Sequence, residues 1–130
     1  MEEALRTFLL TQSGVSSLIA DRAYWNMRPQ AASLPALVLQ VIDRTPAYSM
    51  DGNSALAETR VQVDCYGPSY SSAKLLARAV RDPLDGKRFT QSSIRFEAFR
   101  LDERDLSEAG TTEAERVHRI SLDFQIWHQE

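Results

Sequence analysis

The sequence predicts an α/β protein of the α+β kind, a mainly antiparallel sheet of about five strands packed with two helices. Three observations predict it: apolar residues at helical spacing near residues 4–9 and 70–80, period-two alternation in the runs around 60–66 and 119–127, and turn residues between them. The order is helix, strands, helix, strands, with no internal repeat, linker or low-complexity tract. A single domain over residues 1–130 is expected at this length.

Met1, Ala4, Leu5, Phe8 and Leu9 line one side of the first helix, with Glu2 and Glu3 in its first turn, where acids suit the helix dipole. It is expected to run to about Gln12. "SGVSSLIADR" breaks at Gly14 and carries Val15, Leu18 and Ile19 on a short helical turn. "RAYWNMRP" stops at Pro29 and reads as a short edge strand. "LPALVLQVIDRTP" is apolar at both parities from Leu37 to Ile42, the pattern of a central strand covered on both sides. Asp51-Gly52 is a turn signal, so "LAETRVQVDCYG" returns as the second arm of a hairpin.

Ser69 is a good N-cap for a second helix with the stripe Tyr70, Ala73, Leu76, Ala77 and Val80, brought to a close by Pro83 and Gly86. "SSIRFEAFRLDERD" and "ERVHRISLDFQIWH" read as the last two strands. They are joined by a polar, acidic loop, "DERDLSEAGTTEAE".

Composition narrows the function. A net charge of -3 with 25% charged residues gives no single-sign field for nucleic acid or a membrane surface. No apolar run approaches the ~20 residues of a membrane helix. The opening "MEEALRTFLL" lacks the basic and apolar regions of a signal peptide, so a soluble protein made in the cytoplasm is expected. The single cysteine excludes an internal disulfide. Of 15 basic residues only Lys74 and Lys87 are lysines, and arginine is the cation enriched at protein interfaces. A GC-rich genome would give the same bias.

Cys65, beside Asp64 at a strand end, is the one candidate nucleophile. Alternation puts it on the same face as Val61 and Val63, away from Asp64, and no elbow motif surrounds it. His118 and His128 lie ten residues apart on one strand, roughly 33 Å, which excludes a shared metal and makes them rim or surface residues. The glycines stand singly at turns, with no phosphate-binding loop, and no cofactor is expected.

Contact surface is better supported than chemistry. Lys74, Arg78 and Arg81 share one face of the second helix, a solvated face or a docking surface for an acidic neighbour. The last strand sets Ile120, Leu122, Phe124 and Ile126 on its core face and Arg119, Ser121, Asp123, Gln125 and Trp127 on the other, a mixture suited to protein contact. The acidic loop over 102–115 contains Asp102, Glu103, Asp105 and Glu108.

Three stretches together, "LIADRAYWNMRPQAASLPALVLQVI", "RVQVDCYGPSYSSAKLLARAVRDPLDG" and "DERDLSEAGTTEAERVHRISLDFQIWHQE", resemble the phage tail-completion family and its tail terminators, including those of phage-like gene transfer agents. The resemblance covers nearly the whole chain and includes no catalytic signature. It implies a structural, non-enzymatic protein of the virion: a hexameric ring, assembled in the bacterial cytoplasm, that caps the tail tube and stops its polymerisation. Its implied partners are further copies of itself, the major tail tube protein and the head-tail connector or stopper, with DNA passing through the lumen without specific binding.

Within that frame, Lys74, Arg78, Arg81, Arg119, Asp123 and Trp127 are the candidate interface residues. Asp102, Glu103, Asp105 and Glu108 are candidates for a lumen or neighbour-contacting loop. The alternatives are a head-completion stopper or adaptor, a thiol hydrolase using Cys65, and a generic protein-binding module.

Overall fold

In the computed structural model of the protein the described residues are 1–27, 34–49, 52–105 and 118–129. Pro29, expected to end a strand, and Asp51, expected in a turn, lie outside them. The chain runs α1 (Glu2–Thr11), α2 (Ser13–Ile19), β1 (Ala23–Trp25), β2 (Ala36–Ser49), β3 (Gly52–Gly67), α3 (Tyr70–Leu84), β4 (Lys87–Gln91), β5 (Ile94–Asp105) and β6 (His118–Gln129). The six strands form one sheet in the order β1-β2-β3-β6-β5-β4. Among the described residues only β1 and β2 pair in parallel.

The sheet has a helix face and an outer face. Leu37, Leu39, Val61, Val63, Cys65, Ile120, Leu122, Phe124 and Ile126 point to the helix face and are buried with the apolar stripes of α1, α2 and α3. Register fixes this: Val61 lies opposite Phe124, Val63 opposite Leu122 and Cys65 opposite Ile120. Their neighbours Arg60, Gln62 and Asp64 therefore share the outer face with Gln125, Asp123 and Ser121. Cys65 is fully buried, and desolvation, then the nearby negative charges of Asp64 and Glu103, push its thiol far above the ordinary range. A thiol held protonated in the core is a packing group.

Several expected features hold and others shift. α3 is capped as expected, the Ser69 hydroxyl accepting from the Ser72 amide at 3.2 Å, but Tyr70, the first residue of the helix, is half exposed rather than part of the buried stripe. Gly67 must be glycine: a Cβ there would sit 2.6 Å from the backbone nitrogen of Ala73, so the strand can turn directly under α3. Among the described residues β2 is a central strand only where β1 covers it, at Leu37–Leu39. Beyond that it is an edge, which accommodates Pro46 and leaves Ile42, displaced by a bulge between Val41 and Asp43, about half exposed.

The helix break falls at Gln12 rather than Gly14, and the segment after it is a full helix, α2, giving three helices in place of two. The sheet has six strands rather than five because "KRFTQ" forms β4. Its sequence is polar apart from Phe89, which stacks between Phe8 of α1 at 3.7 Å and Phe96 of β5 at 4.9 Å. The aromatic stack holds the short strand in place.

β4 and β5 are joined by a two-residue loop, Ser92-Ser93, with φ of 53° and 65°. Both serines occupy the left-handed region, where a primed hairpin turn favours asparagine followed by glycine. The double substitution Ser92→Asn with Ser93→Gly is expected to raise unfolding stability by about 1 kcal/mol, read as a higher urea midpoint with an unchanged slope.

Candidate functional site

The outer face is organised around Asp123. Its side chain is 2% exposed, yet it stands on the face away from the helices. From β3, Arg60 donates to its Oδ2 at 2.7 Å; from β5, Arg104 donates to both carboxylate oxygens at 3.3 Å. Each guanidinium reaches diagonally across the ladder, since Arg60 is in register with Gln125 and Arg104 with Ser121. Arg104 is also 3.6 Å from Asp102, two residues earlier on its own strand. Gln62 donates to both oxygens of the buried Asp64, at 3.0 and 3.2 Å.

Arg119 and Tyr66 meet at one end of the same face, the guanidinium donating to the phenol oxygen at 3.4 Å. At the other end the face becomes aromatic. Phe99 and Trp127, on adjacent strands, are 40% and 36% exposed and border a cleft of about 750 Å³ with Arg88, Arg95 and Glu97. Arg88 is 3.4 Å from Glu97. His128, expected at the rim, is instead buried behind this cleft, its Nε2 2.6 Å from the Thr59 hydroxyl. It shares the helix-face parity of Phe124 and Ile126, and the Thr59 hydroxyl satisfies its ring nitrogen there.

Of the acidic residues expected in one loop, Asp102 and Glu103 stand on opposite faces of a strand. Asp102, Glu103 and Asp105 lie in β5, which continues to Asp105, while Glu108 lies outside the described residues. A bulge at Leu101, between Arg100 and Asp102, resets the alternation. Asp102 consequently joins Asp123 on the outer face, whereas Glu103, in register with Leu122, turns under α3. There Lys74 donates to Glu103 Oε2 at 2.8 Å and Arg81 lies 3.9 Å from Oε1. Two of the three cations expected to meet an acidic neighbour thus pair within their own chain. Arg78 is exposed and has no ion pair among the described residues.

Periodicity places Arg119, Asp123 and Trp127 on one face, and the structure keeps them there. It separates their roles, because Asp123 is a buried anchor and Trp127 an exposed edge of the cleft. Sequence reasoning does not single out Arg60, Arg104 or Phe99. Arg60 is legible only as an outer-face parity, and Arg104 and Phe99 require the register across the bulge. Among the described residues no group of three metal-ligating side chains comes together.

What these elements define is an α+β fold whose outer surface is made of paired charges and half-exposed aromatics. The comparisons give the class a family: Tail completion protein gp17 matches residues 3–129, and the chain belongs to that family of phage tail structural proteins. In fold it is similar to a chain from the virion of a native gene transfer agent (GTA) particle, with a TM-score of 0.76 at 20% identity over 100% of this chain and 95% of that one. A second solved chain, 12% identical, aligns over 99% of this chain and 89% of its own with a TM-score of 0.54. No curated protein matches the sequence.

The ion pairs differ in what their loss should cost. Asp123→Ala leaves two guanidinium groups without their buried partner and is expected to cost about 3 kcal/mol, the low end for a broken buried pair because both arginines reach solvent. Asp102→Ala, on an exposed pair, is expected to cost under about 1 kcal/mol in the same urea titration.

The hydrogen bond from Lys74, with the charges of Lys74, Arg81 and Arg100 adding and partial burial opposing, holds the Glu103 carboxyl below the ordinary glutamate range. A depressed carboxylate stabilises the fold above its unfolded pKa, and that contribution is lost as pH falls through the folded pKa. Lys74→Met is therefore expected to be less stable than the parent at neutral pH. The gap should close in acid below the ordinary glutamate value of about 4.3, as read by urea midpoints measured across pH.

Proposed function

We propose that the chain, as a single domain over residues 1–130, caps the head-proximal end of a tail tube as a hexameric ring, stops tube polymerisation and joins the tail to the head connector. The observation that carries this reading is the end-to-end similarity: the family spans residues 3–129, and the fold aligns over 100% of this chain and 95% of a gene transfer agent virion chain. The partners are other copies, the major tail tube protein and the connector or stopper, in a particle assembled in the bacterial cytoplasm. The role is structural, and the burial of Cys65 removes the nucleophile of the hydrolase alternative.

The outer face suits a lumen through which DNA moves without being held. Phosphates are attracted by unpaired lysine and arginine. Here Arg60, Arg104 and Arg88 each lie against a carboxylate, of Asp123, Asp123 with Asp102, and Glu97 respectively. Asp102 is the candidate lumen acid. Glu103 acts within the chain to fix α3, and Arg78, Arg119 and Trp127 are the candidate contacts with tube, connector or neighbour.

Particles produced without the gene test the reading. Negative-stain images are expected to show overlong, headless tails. Tails of normal length beside unjoined or leaking heads would place the protein on the head side of the joint, as a stopper or adaptor.

A further inference from the structure

Half of β5 is an open sheet edge. β4 runs beside it only as far as Lys87 opposite Ala98, whereas on its other side β5 stays paired with β6 to Asp105 opposite Ile120. Among the described residues no strand lies beyond 99–105. Every residue of that stretch except Glu103 is exposed, Phe99 at 40% and Leu101 at 49%. An exposed edge with apolar side chains is a template on which another strand can add.

The direction of the backbone groups follows from the ladder. Ala98 turns its carbonyl to the β4 side, where it accepts from the Gly86 amide at 2.9 Å. Backbone groups alternate in direction along a strand, so the Arg100 amide faces the same way, now past the end of β4. The bulge at Leu101 delays the next outward amide by one residue, to Glu103. Neither amide is bare. The Arg100 N–H donates to Asp85 Oδ1 at 3.4 Å, and the Glu103 N–H donates to Asp102 Oδ1 at 2.8 Å.

The two carboxylates are held alike. Asp85 Oδ2 lies 3.7 Å from Nε of Arg100, and Asp102 Oδ2 lies 3.6 Å from Nε of Arg104. In each, one oxygen occupies an edge amide while the other faces a guanidinium of β5. Asp85 comes from the C-cap of α3 and Asp102 from β5 itself, so two separate parts of the chain arrive at the same arrangement. Exposed ion pairs add little to stability. Their effect here is to occupy donors that an incoming strand's carbonyls need.

We propose that Asp85 and Asp102 keep the β5 edge closed to strand addition, and that the strand they keep out is β5 of a second copy. The edge fits its own kind. Set antiparallel about a two-fold axis, with Arg100 of one copy opposite Glu103 of the other, the outward backbone groups of the two strands meet and opposite charges face each other across the join. Such a self-complementary pair stops at two copies and diverts the chain from any larger assembly. The role of the two acids does not depend on the terminator reading.

Full-length variants test this by sedimentation velocity and amide hydrogen exchange over a range of concentrations. Asp85→Ala with Asp102→Ala is expected to self-associate about tenfold more strongly than the parent, with exchange at the Arg100 and Glu103 amides slowing as concentration rises. Each single alanine variant is expected to show a smaller shift in the same direction, which keeps the test available if the double variant folds poorly. Asp85→Asn with Asp102→Asn removes the same two charges but leaves an oxygen to accept from each amide, and is expected to behave as the parent does. Alanine variants no more associated than the parent would overturn the proposal. So would asparagine variants that associate as strongly as the alanine ones, because lost charge would then be the cause, or association that leaves the two amides unprotected, because another surface would then be joined.

Discussion

The pairing of β3 with β6 is the constraint from which the rest follows. Its register, unbroken from Leu56 opposite Gln129 to Gly67 opposite His118, sorts every residue of two long strands onto one of two faces. A slip of one residue would carry Val61, Val63, Phe124 and Leu122 out of the core and bring Arg60, Asp64 and Asp123 into it. The hydrophobic cost of that exchange makes the register strongly specified. Once it is set, α3 has an apolar bed over β3 and β6, and Gly67 allows the chain to enter the helix directly from the strand. The outer face then receives the polar residues that the core rejects.

The bulges decide where this simple alternation stops. At Leu101 an extra residue in β5 turns Glu103 from the outer face to the helix face, where Lys74 and Arg81 receive it. At Ile42 an equivalent irregularity in β2 brings Arg44 to the helix side, where it pairs with Glu2 of α1. Each bulge leaves an apolar residue about half exposed and sends a charged one to a helix. Local departures from strand geometry thus tie helices to strands at the margins of the sheet, where apolar packing alone is thinnest.

Strong periodicity makes the main architecture legible in the sequence. The long strands, α1 and α3, the cap at Ser69 and the core position of Cys65 all depend on local pattern, and each is observed. What stays hidden depends on contacts between distant residues. β4 has too little apolar sequence to read as a strand until Phe89 is seen between Phe8 and Phe96. The acidic stretch from Asp102 overlaps the end of a strand-like run and the start of a loop, because its charge density suggests solvent. Its first four residues are nonetheless strand, with Asp102 beside Arg104 and Glu103 turned by the bulge to Lys74. Parity assigns Asp123 to its face, but its burial comes from the two arginines arriving from either side.

That burial bears on what the outer face is for. A buried ion pair is weak evidence of stability, since desolvation offsets much of the attraction, and an apolar substitute often does as well. Its distinctive effect is geometric. Asp123 accepts from Arg60 on one neighbouring strand and Arg104 on the other, so β3, β6 and β5 are held in one relative register on the side away from the helices. An apolar cluster there would hold the strands equally well but would leave an adhesive surface. A cluster of unpaired arginines would stay soluble but would bind polyanions. Paired charges avoid both, and the half-exposed apolar groups Phe99 and Trp127 stand together at one end of the sheet.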